Sequence, residues 1–248
     1  MNDFRTGLLL ELKLDGPVAV VGDIHGCADA LDALLDKLGE MPVIVLGDLG
    51  DRGPGTRAVI DLLARRGAAG VRGNHDDWLI AWALGEGFDS FALHPVMGGR
   101  ATLDSYGIKG ASAGSIEAER WRVPREHLAW LDGLADAIDL EVDGERYWLV
   151  HGGVPDDQLA VEPSGRVPWF VRNAPERLHG YRQLLDRSPN LGRPLIVGHQ
   201  QVEEPVVSGA IIALDTGAGE PRSSARLTAI VLPERRLVSV PSWTEVTQ

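Results

Sequence analysis

The strongest constraint in this sequence is a repeated unit in its first third, in which an apolar run ends in a short polar motif. The runs at 17–21 and 43–46 each end in Gly-Asp, and the run at 69–71 ends in Arg-Gly-Asn-His. Amphipathic stretches at 28–38 and 58–66 separate the three runs. Strand-like runs separated by helix-length stretches are typical of β-α-β units with a parallel sheet. The sequence therefore predicts an α/β fold.

Asp23, Asp48 and Asn74 occupy matching positions in this repeat, just beyond the end of each apolar run, and lie 25 and 26 positions apart. The carboxyl ends of parallel strands lie along one edge of a sheet, where open α/β sheets bind their ligands. We therefore expect these three side chains to lie close together at one site.

Three histidines extend this pattern. His25 lies two positions after Asp23, so in extended backbone the two side chains project to the same side, and His151 and His199 directly follow later apolar runs. Any one of these residues alone is explained as a solvated or backbone-bonded side chain at a strand end. Five such strand ends together predict a metal site. Cys27 is the only cysteine, which excludes a thiolate cluster, and nitrogen and oxygen ligands fit Mn²⁺ first, with Fe, Zn²⁺ or Mg²⁺ as alternatives.

The second and third motifs add groups suited to phosphate chemistry. The two oxygens of Asp48 can bridge two cations, and Asn74 supplies a carbonyl ligand. Arg52 offers a charged planar fork for phosphate oxygens. His75 suits the role of proton donor, and a hydrogen bond to Asp51 would fix its tautomer. The alternative is a helix-capping Asp48 beside a surface pair of Asp51 and Arg52.

The motifs GDIHG, GDLGDRG, RGNHD, HGG and GHQ, in this order over 22–200, resemble those of the calcineurin-like metallophosphoesterases. They are most similar to the phosphoprotein phosphatase branch, which includes the bacteriophage lambda phosphatase. The resemblance implies one domain over 1–248, a four-layer αββα sandwich of two mixed β-sheets with the metal site at the strand carboxyl ends. A less regular segment at about 78–133 would form a helical cap, in which Trp78 and Trp82 have the spacing of residues packed on one helix face.

The resemblance also implies a dinuclear metal site and a second phosphate-binding arginine. The implied ligands are Asp23, His25 and Asp48 for one metal, and Asp48, Asn74, His151 and His199 for the other. The second arginine is expected after the fourth motif, where Arg172 is the best match and Arg166 the competitor. The family usually has valine where this chain has Gly50, a departure that we expect to affect packing more than chemistry.

From these features we predict a metal-dependent phosphomonoester hydrolase, specifically a serine/threonine-type protein phosphatase. A metal-bridging hydroxide would attack in line, with Arg52 and Arg172 on the phosphate oxygens, and His75, oriented by Asp51, would protonate the leaving group. Symmetrical diadenosine tetraphosphate hydrolases share the motifs and are the alternative, although they usually have Ala-Arg-Gly where this chain has Asp51-Arg52-Gly53. An inactive phospho-ligand-binding module is the alternative from a different class.

Charge and hydropathy limit the partners. A formal net charge of −12 argues against a nucleic-acid partner and favours a phosphorylated protein or a small phosphate ester as substrate. No apolar run approaches the roughly 20 residues of a membrane helix, and the N-terminus lacks the basic start of a secretory signal. We therefore expect a cytoplasmic protein without a membrane partner.

Overall fold

The structure is a computed structural model that describes residues 7–155, 176–183, 185–187, 189 and 191–242. The strands are, in chain order, β1 (Leu9–Leu14), β2 (Val18–Val21), β3 (Val43–Val45), β4 (Ala69–Gly70), β5 (Ala137–Val142), β6 (Glu145–Leu149), β7 (Leu195–Val197), β8 (Val206–Val207), β9 (Ile211–Ala213), β10 (Arg226–Leu232) and β11 (Arg236–Pro241). The helices are α1 (Ala28–Leu38), α2 (Thr56–Arg66), α3 (Asn74–Leu84), α4 (Asp89–Ala92), α5 (Gly99–Ser105), α6 (Ala113–Glu117), α7 (Arg125–Asp132) and α8 (Arg177–Gly180), with a 3-10 turn at Arg120–Arg122.

The first sheet contains the predicted β-α-β units. Its strand order is β11-β10-β2-β3-β4. Strands β2, β3 and β4 are parallel, and β10 runs antiparallel to both of its neighbours, β2 and β11. The helix predicted at 28–38 coincides with α1. Consecutive parallel strands joined by helices place the ends of β2, β3 and β4 on the same edge, as the sequence pattern required.

The second sheet has the strand order β1-β5-β6-β7-β9-β8 and is also mixed. Its outer strand β1 is parallel to β5, with Leu9 opposite Ala137. Neither strand is predicted from the sequence. Both alternate apolar with charged residues in runs of six, LLELKL and AIDLEV, so neither has the continuous apolar run that indicates a fully buried strand.

The two sheets pack face to face between helices. Val18 and Val20 of β2 point into the core between the sheets, while Ala19 and Val21 point toward the core beneath the helices. A third cluster covers the outer face of the six-stranded sheet, where Leu178 of α8 is buried. Because the side chains of a strand alternate between its two faces, the VAVV run is buried on both sides. The expected α/β architecture with two mixed sheets is confirmed.

Helices α3 to α7 lie between β4 and β5 in the chain. Trp82 of α3 and Leu103 of α5 are fully buried in the same core as helices α1 and α2. The segment contains helices α3 to α7, of which α3 begins at Asn74. That it covers the site stays a prediction. Within the described ranges, none of the helices combines the length and the hydropathy needed to cross a bilayer.

Candidate metal centre

The predicted metal ligands lie at the ends of strands from both sheets. Asp23 and His25 follow β2, Asp48 follows β3 and Asn74 follows β4, all in the first sheet. In the second sheet, His151 and His199 follow the parallel strands β6 and β7. The backbone N–H of His199 donates to both carboxylate oxygens of Asp23, at 3.0 Å each, which joins the two sheets at this edge.

Backbone strain is concentrated in these loops. The left-handed region of φ is uncommon for residues other than glycine. It is adopted here by His25 (45°), Asp48 (50°), Asp51 (70°), Arg52 (63°) and His199 (57°). All five are residues that the sequence assigned to the site. Strained backbone that persists at one place in a fold is typical of functional sites, because the surrounding structure must hold it.

Two glycines allow the loops to approach each other closely. A Cβ atom at Gly73 would lie 2.2 Å from Asp48 Oδ1, and one at Gly198 would lie 2.1 Å from Asp23 Oδ1. No side chain fits at either distance, so only glycine permits these contacts. The carboxylates of Asp23 and Asp48 are therefore fixed by neighbouring backbone.

Two groups of side chains have the geometry of cation sites. Each residue of a group offers one potential ligand atom, and these atoms all lie within 4.8 Å of one another. The groups are His25, Asp48 and His75, and Asp48, His151 and His199. Asp48 belongs to both groups, with Oδ2 at 3.8 Å from His25 Nε2 and Oδ1 at 3.3 Å from His151 Nε2. This arrangement suits a carboxylate that bridges two cations.

The positions of Asp23 and His75 around this centre differ from those expected from the sequence. Asp23 Oδ2 lies 4.0 Å from His25 Nε2, at the side of the first group. His75, predicted to be a proton donor rather than a ligand, has Nε2 at 4.0 Å from Asp48 Oδ2. The geometry of the ligand atoms thus brings His75 into the first group.

Three buried polar atoms at this centre have no hydrogen-bond partner among the described residues: His25 Nε2, His151 Nε2 and Asn74 Oδ1. The other ring nitrogen of each histidine donates to a backbone carbonyl, His25 Nδ1 to Gly50 and His151 Nδ1 to Leu46. Metal-binding histidines are usually held in this way, with the free nitrogen directed to the metal. Buried polar atoms are rarely left unpaired. The residues present therefore fit divalent cations.

Electrostatics favour positive charge at the same place. Burial opposes ionisation of Asp48, but His151, His75 and His25 outweigh it and hold the pKa of Asp48 well below its usual value. Burial lowers the pKa of His151, yet Asp48 and Asp23 outweigh burial and raise it to about 10. The same carboxylates would attract a divalent cation, which binds histidine in its neutral form.

Asp51 and His75 form a buried pair beside the centre. His75 Nδ1 donates to Asp51 Oδ2 at 2.5 Å, as the sequence predicted. Burial lowers the pKa of His75, but the charge of Asp48 and the hydrogen bond to Asp51 outweigh it, so the pKa is raised. Trp78 Nε1 also donates to Asp51 Oδ2, at 2.5 Å. The interpretation of Trp78 as a packing residue is therefore incomplete, because its indole N–H contacts the site.

Arg52 lies at the edge of the centre and is partly exposed. Its Nη1 atom lies 3.1 Å from Glu220 Oε1, and its backbone N–H donates to the carbonyl of Gly98. A Cβ atom at Gly219 would lie 3.0 Å from that of Arg52, so the loop that carries Glu220 packs directly on the arginine. No sequence motif pointed to Glu220. The other arginines considered, Arg172 and Arg166, lie outside the described residues.

Two further residues escaped the sequence analysis. The carboxylate of Asp76 accepts hydrogen bonds from the backbone N–H groups of Gly73, Asp48 and Leu49, at 2.9 to 3.0 Å, and so joins the second motif to the third. Burial, followed by the charge of Asp48, raises the pKa of Asp76 to about 6. The quoted RGNHD motif contains Asp76, but a backbone-bonding role depends on loops that meet only in the fold.

The second missed residue is Arg182. Burial and the nearby His151 lower the pKa of His199 to about 4, and the charge of Arg182 adds to this effect. The neighbouring Gln183 accepts a hydrogen bond from the backbone N–H of Val154, which holds this stretch beside the loop after His151. Arg182 is therefore a cation close to the centre.

Sequence comparisons identify relatives over nearly the full length of the chain. The family described as calcineurin-like phosphoesterase matches residues 16–213. An asymmetrical bis(5'-nucleosyl)-tetraphosphatase of Geobacillus thermodenitrificans is 26% identical, over 91% of this chain and 94% of the relative. A symmetrical bis(5'-nucleosyl)-tetraphosphatase of Neisseria gonorrhoeae is 25% identical, over 89% of this chain and 94% of the relative.

Solved structures with the same fold have more varied descriptions. A putative diadenosine tetraphosphatase has a TM-score of 0.65 and 22% identity, covering 96% of this chain and 99% of the other. A serine/threonine phosphatase of Saccharomyces cerevisiae has a TM-score of 0.57 and 15% identity, covering 98% of this chain and 86% of the other. At these identities the likeness concerns the fold alone.

Proposed function

Because the chain belongs to the calcineurin-like phosphoesterase family, we propose that it hydrolyses the phosphoanhydride bonds of dinucleoside tetraphosphates with two divalent cations, Mn²⁺ first among them. The observation that carries the choice of substrate is the match, along about nine tenths of the chain, to relatives that are bis(5'-nucleosyl)-tetraphosphatases. This reverses the order of the two activities predicted from the sequence, in which a protein phosphatase came first.

The metal ligands in this proposal are the six strand-end residues, with Asp48 shared. Two observations support this assignment. Asp48 belongs to both ligand groups, and polar atoms of His25, Asn74 and His151 are buried without a hydrogen-bond partner among the described residues. When bound, two divalent cations would neutralise the phosphate and lower the pKa of the attacking water.

The chain's own residues would bind the substrate and manage the leaving group. Arg52 would bind the phosphate oxygens after releasing Glu220. His75, with Nδ1–H held by Asp51, would direct Nε2 toward the leaving oxygen and donate a proton as the bond from phosphorus to that oxygen breaks.

Phosphomonoester hydrolysis is the second candidate, and the Asp51–His75 pair favours it. The alkoxide of a serine or threonine is a poor leaving group and needs a proton, whereas a nucleotide phosphate leaves as a stable anion. A buried proton donor beside the centre is therefore more valuable for a phosphate ester than for an anhydride.

Hydrolysis by metal-stripped protein refilled with Mn²⁺, Mg²⁺ or Zn²⁺ tests the proposal. The substrates are diadenosine tetraphosphate, a phosphothreonine peptide and 4-nitrophenyl phosphate, and the variants are Asp48→Asn and His75→Asn. We expect the highest kcat/KM for the dinucleotide with Mn²⁺, lost in Asp48→Asn. We expect His75→Asn to slow peptide hydrolysis by about 10²- to 10⁴-fold and dinucleotide hydrolysis much less.

Each result has a distinct meaning. Two ADP molecules as products indicate symmetrical cleavage, and ATP with AMP indicates asymmetrical cleavage. Faster hydrolysis of the peptide than of the dinucleotide would favour the second candidate. A metal-loaded protein that releases nothing from any of the three substrates would contradict both, and would favour a binding module.

A further inference from the structure

We propose that Thr102 and Trp78, two residues of the helical segment between β4 and β5, are positioning residues that hold the Asp51 carboxylate so that His75 can serve as proton donor. The inference rests on the role of His75 in the proposed function. It assigns part of the catalytic geometry to a segment that the sequence suggested was only a cap.

Thr102 fixes one oxygen and the backbone of Asp51. Its hydroxyl donates to Asp51 Oδ1 at 2.7 Å and accepts from the backbone N–H of Asp51 at 2.8 Å. A hydroxyl has one proton and two lone pairs, so the contact with Thr56 Oγ1 at 2.9 Å must be a hydrogen bond donated by Thr56. The Thr102 hydroxyl is thus fully satisfied, in a side chain with no solvent exposure.

Trp78 fixes the other oxygen. Asp51 Oδ2 accepts from Trp78 Nε1 and from His75 Nδ1, both at 2.5 Å. An indole N–H is only a donor, so Trp78 holds the carboxylate whether His75 carries one proton or two. Asp51 is 1% exposed, so its carboxylate depends on protein groups rather than on bulk water for these hydrogen bonds. With both oxygens held, the carboxylate presents Oδ2 to His75 in one orientation.

Gly50 provides the space for this arrangement. A Cβ atom at Gly50 would lie 2.9 Å from Thr56 Cγ2 and 3.2 Å from Thr102 Oγ1. A side chain at position 50 would therefore displace the two threonines that support Asp51. The departure from valine at this position thus has a structural consequence next to the proton donor, rather than one for packing alone.

The two positioning residues come from different helices of the segment. Trp78 lies in α3 and Thr102 in α5, and α5 packs on α2, where Thr56 lies. The strained φ of 70° at Asp51 is consistent with a residue that its neighbours must hold. Misplacement of a catalytic group by about 1 Å can reduce a rate about 100-fold.

The first test uses the leaving-group dependence of kcat for a series of phosphate monoesters, from 4-nitrophenyl to phenyl to alkyl, with the metal-loaded full chain. We expect Thr102→Val and Trp78→Phe to slow the esters with poor leaving groups by roughly 10- to 100-fold and 4-nitrophenyl phosphate by less than about threefold. Thr102→Ser, which keeps the hydroxyl, should restore the rates. An equal loss across the series would indicate general structural damage and overturn the proposal.

Trp82→Phe is the matched control for Trp78→Phe. Trp82 lies one turn further along α3 and is fully buried, whereas Trp78 is partly buried. The Nε1 atom of Trp82 donates to Asp89 Oδ1 at 2.7 Å instead of to Asp51. The control therefore removes an indole hydrogen bond from the same helix without changing Asp51. We expect no change in leaving-group dependence, and an effect equal to that of Trp78→Phe would contradict the inference.

A second measurement does not depend on turnover. In protein labelled with ¹⁵N-histidine and loaded with diamagnetic Zn²⁺ or Mg²⁺, the Nδ1 proton of His75 should give a slowly exchanging resonance, assigned by its loss in His75→Asn. We expect Thr102→Val to broaden or remove this resonance and Thr102→Ser to retain it. An unchanged resonance in Thr102→Val would overturn the positioning role. If neither diadenosine tetraphosphate nor any phosphate ester were hydrolysed, the proposed function would fail while this result still decided the inference.

Discussion

Arg52 Nη1 lies 3.1 Å from Glu220 Oε1, so the arginine expected to bind phosphate is already paired with a carboxylate of the chain. Both side chains are partly exposed, at 27% and 34%. A substrate phosphate must therefore compete with Glu220 for the guanidinium group. Ion pairs that are this exposed contribute about 0.2 to 1 kcal/mol of interaction free energy.

We expect Glu220→Gln to lower both KM and the inhibition constant of inorganic phosphate by roughly two- to fivefold, with kcat nearly unchanged, because an uncharged amide competes less for Arg52. Steady-state kinetics with added phosphate measures this effect. Glu234→Gln, in the β10–β11 turn at the opposite end of the first sheet, is the charge-matched control. A higher KM in Glu220→Gln would show instead that Glu220 orients Arg52 for the substrate.

We expect Asp48→Asn to reduce bound metal from two ions per chain to at most one, and kcat by more than about 100-fold, because it removes the carboxylate common to both ligand groups. Elemental analysis of dialysed protein measures the metal content. Asp36→Asn, on the exposed face of α1, should change neither quantity. Two tightly bound ions in Asp48→Asn would contradict the shared-ligand assignment.

We expect Gly73→Ala to weaken metal binding at least tenfold, because the added Cβ would lie 2.2 Å from Asp48 Oδ1 and displace the carboxylate. Titration of the stripped protein with Mn²⁺ measures the affinity. Gly114→Ala in α6 is the control, since no atom that the described structure places outside its own helix lies within 4 Å of the added Cβ. That control should be neutral or stabilise by about 0.5 to 1 kcal/mol. Unchanged Mn²⁺ affinity in Gly73→Ala would show that the loops can separate freely.

His179 of α8 gives a prediction for stability against pH. Its Nδ1 bonds Asp77 Oδ2 at 2.5 Å and its Nε2 bonds Asp136 Oδ1 at 2.9 Å. Burial lowers the pKa of His179, but the two carboxylates outweigh it and raise the pKa. A raised pKa means that the folded state binds the proton more tightly. The stabilisation is therefore complete below the unfolded value of about 6.5 and is lost as pH rises through the folded value.

We expect His179→Gln to reduce the free energy of unfolding by about 1 to 3 kcal/mol at pH 6, and by less as the pH rises above neutrality. Urea unfolding with a metal chelator present measures this difference. His94→Gln, at an exposed histidine, should have little effect at any pH. If the loss of unfolding free energy in His179→Gln did not vary with pH, the result would contradict a protonated His179.

The repeat in the first third predicted much of the fold because it is local. The continuous apolar VAVV run and the amphipathic face of α1 can be recognised within about 20 residues, and the positions of Asp23 and Asp48 follow from them. Strands β1 and β5 could not be predicted in this way. Their charged positions weaken the apolar signal. In addition, β1 gains its partner β5 only when distant parts of the chain meet, although β5 also pairs with the adjacent strand β6.

The site was predictable where side chains directly follow strands, and not where helices contribute from the side. Thr102 lies 51 positions from Asp51, and Glu220 is still further from Arg52 in the chain. Neither residue belongs to a motif with a fixed spacing. Such contacts depend on how α5 and the loop after β9 pack, which short-range patterns do not specify.

The division of the ligands between two sheets has a consequence for how the protein matures. The candidate ligands Asp23, His25, Asp48 and Asn74 are synthesised early, but His151 and His199 come from strands of the second sheet. A nascent chain on the ribosome therefore lacks the second ligand group until β7 has emerged and paired. We expect the second metal to be acquired only after synthesis of most of the chain, so that full metallation marks completed assembly of both sheets.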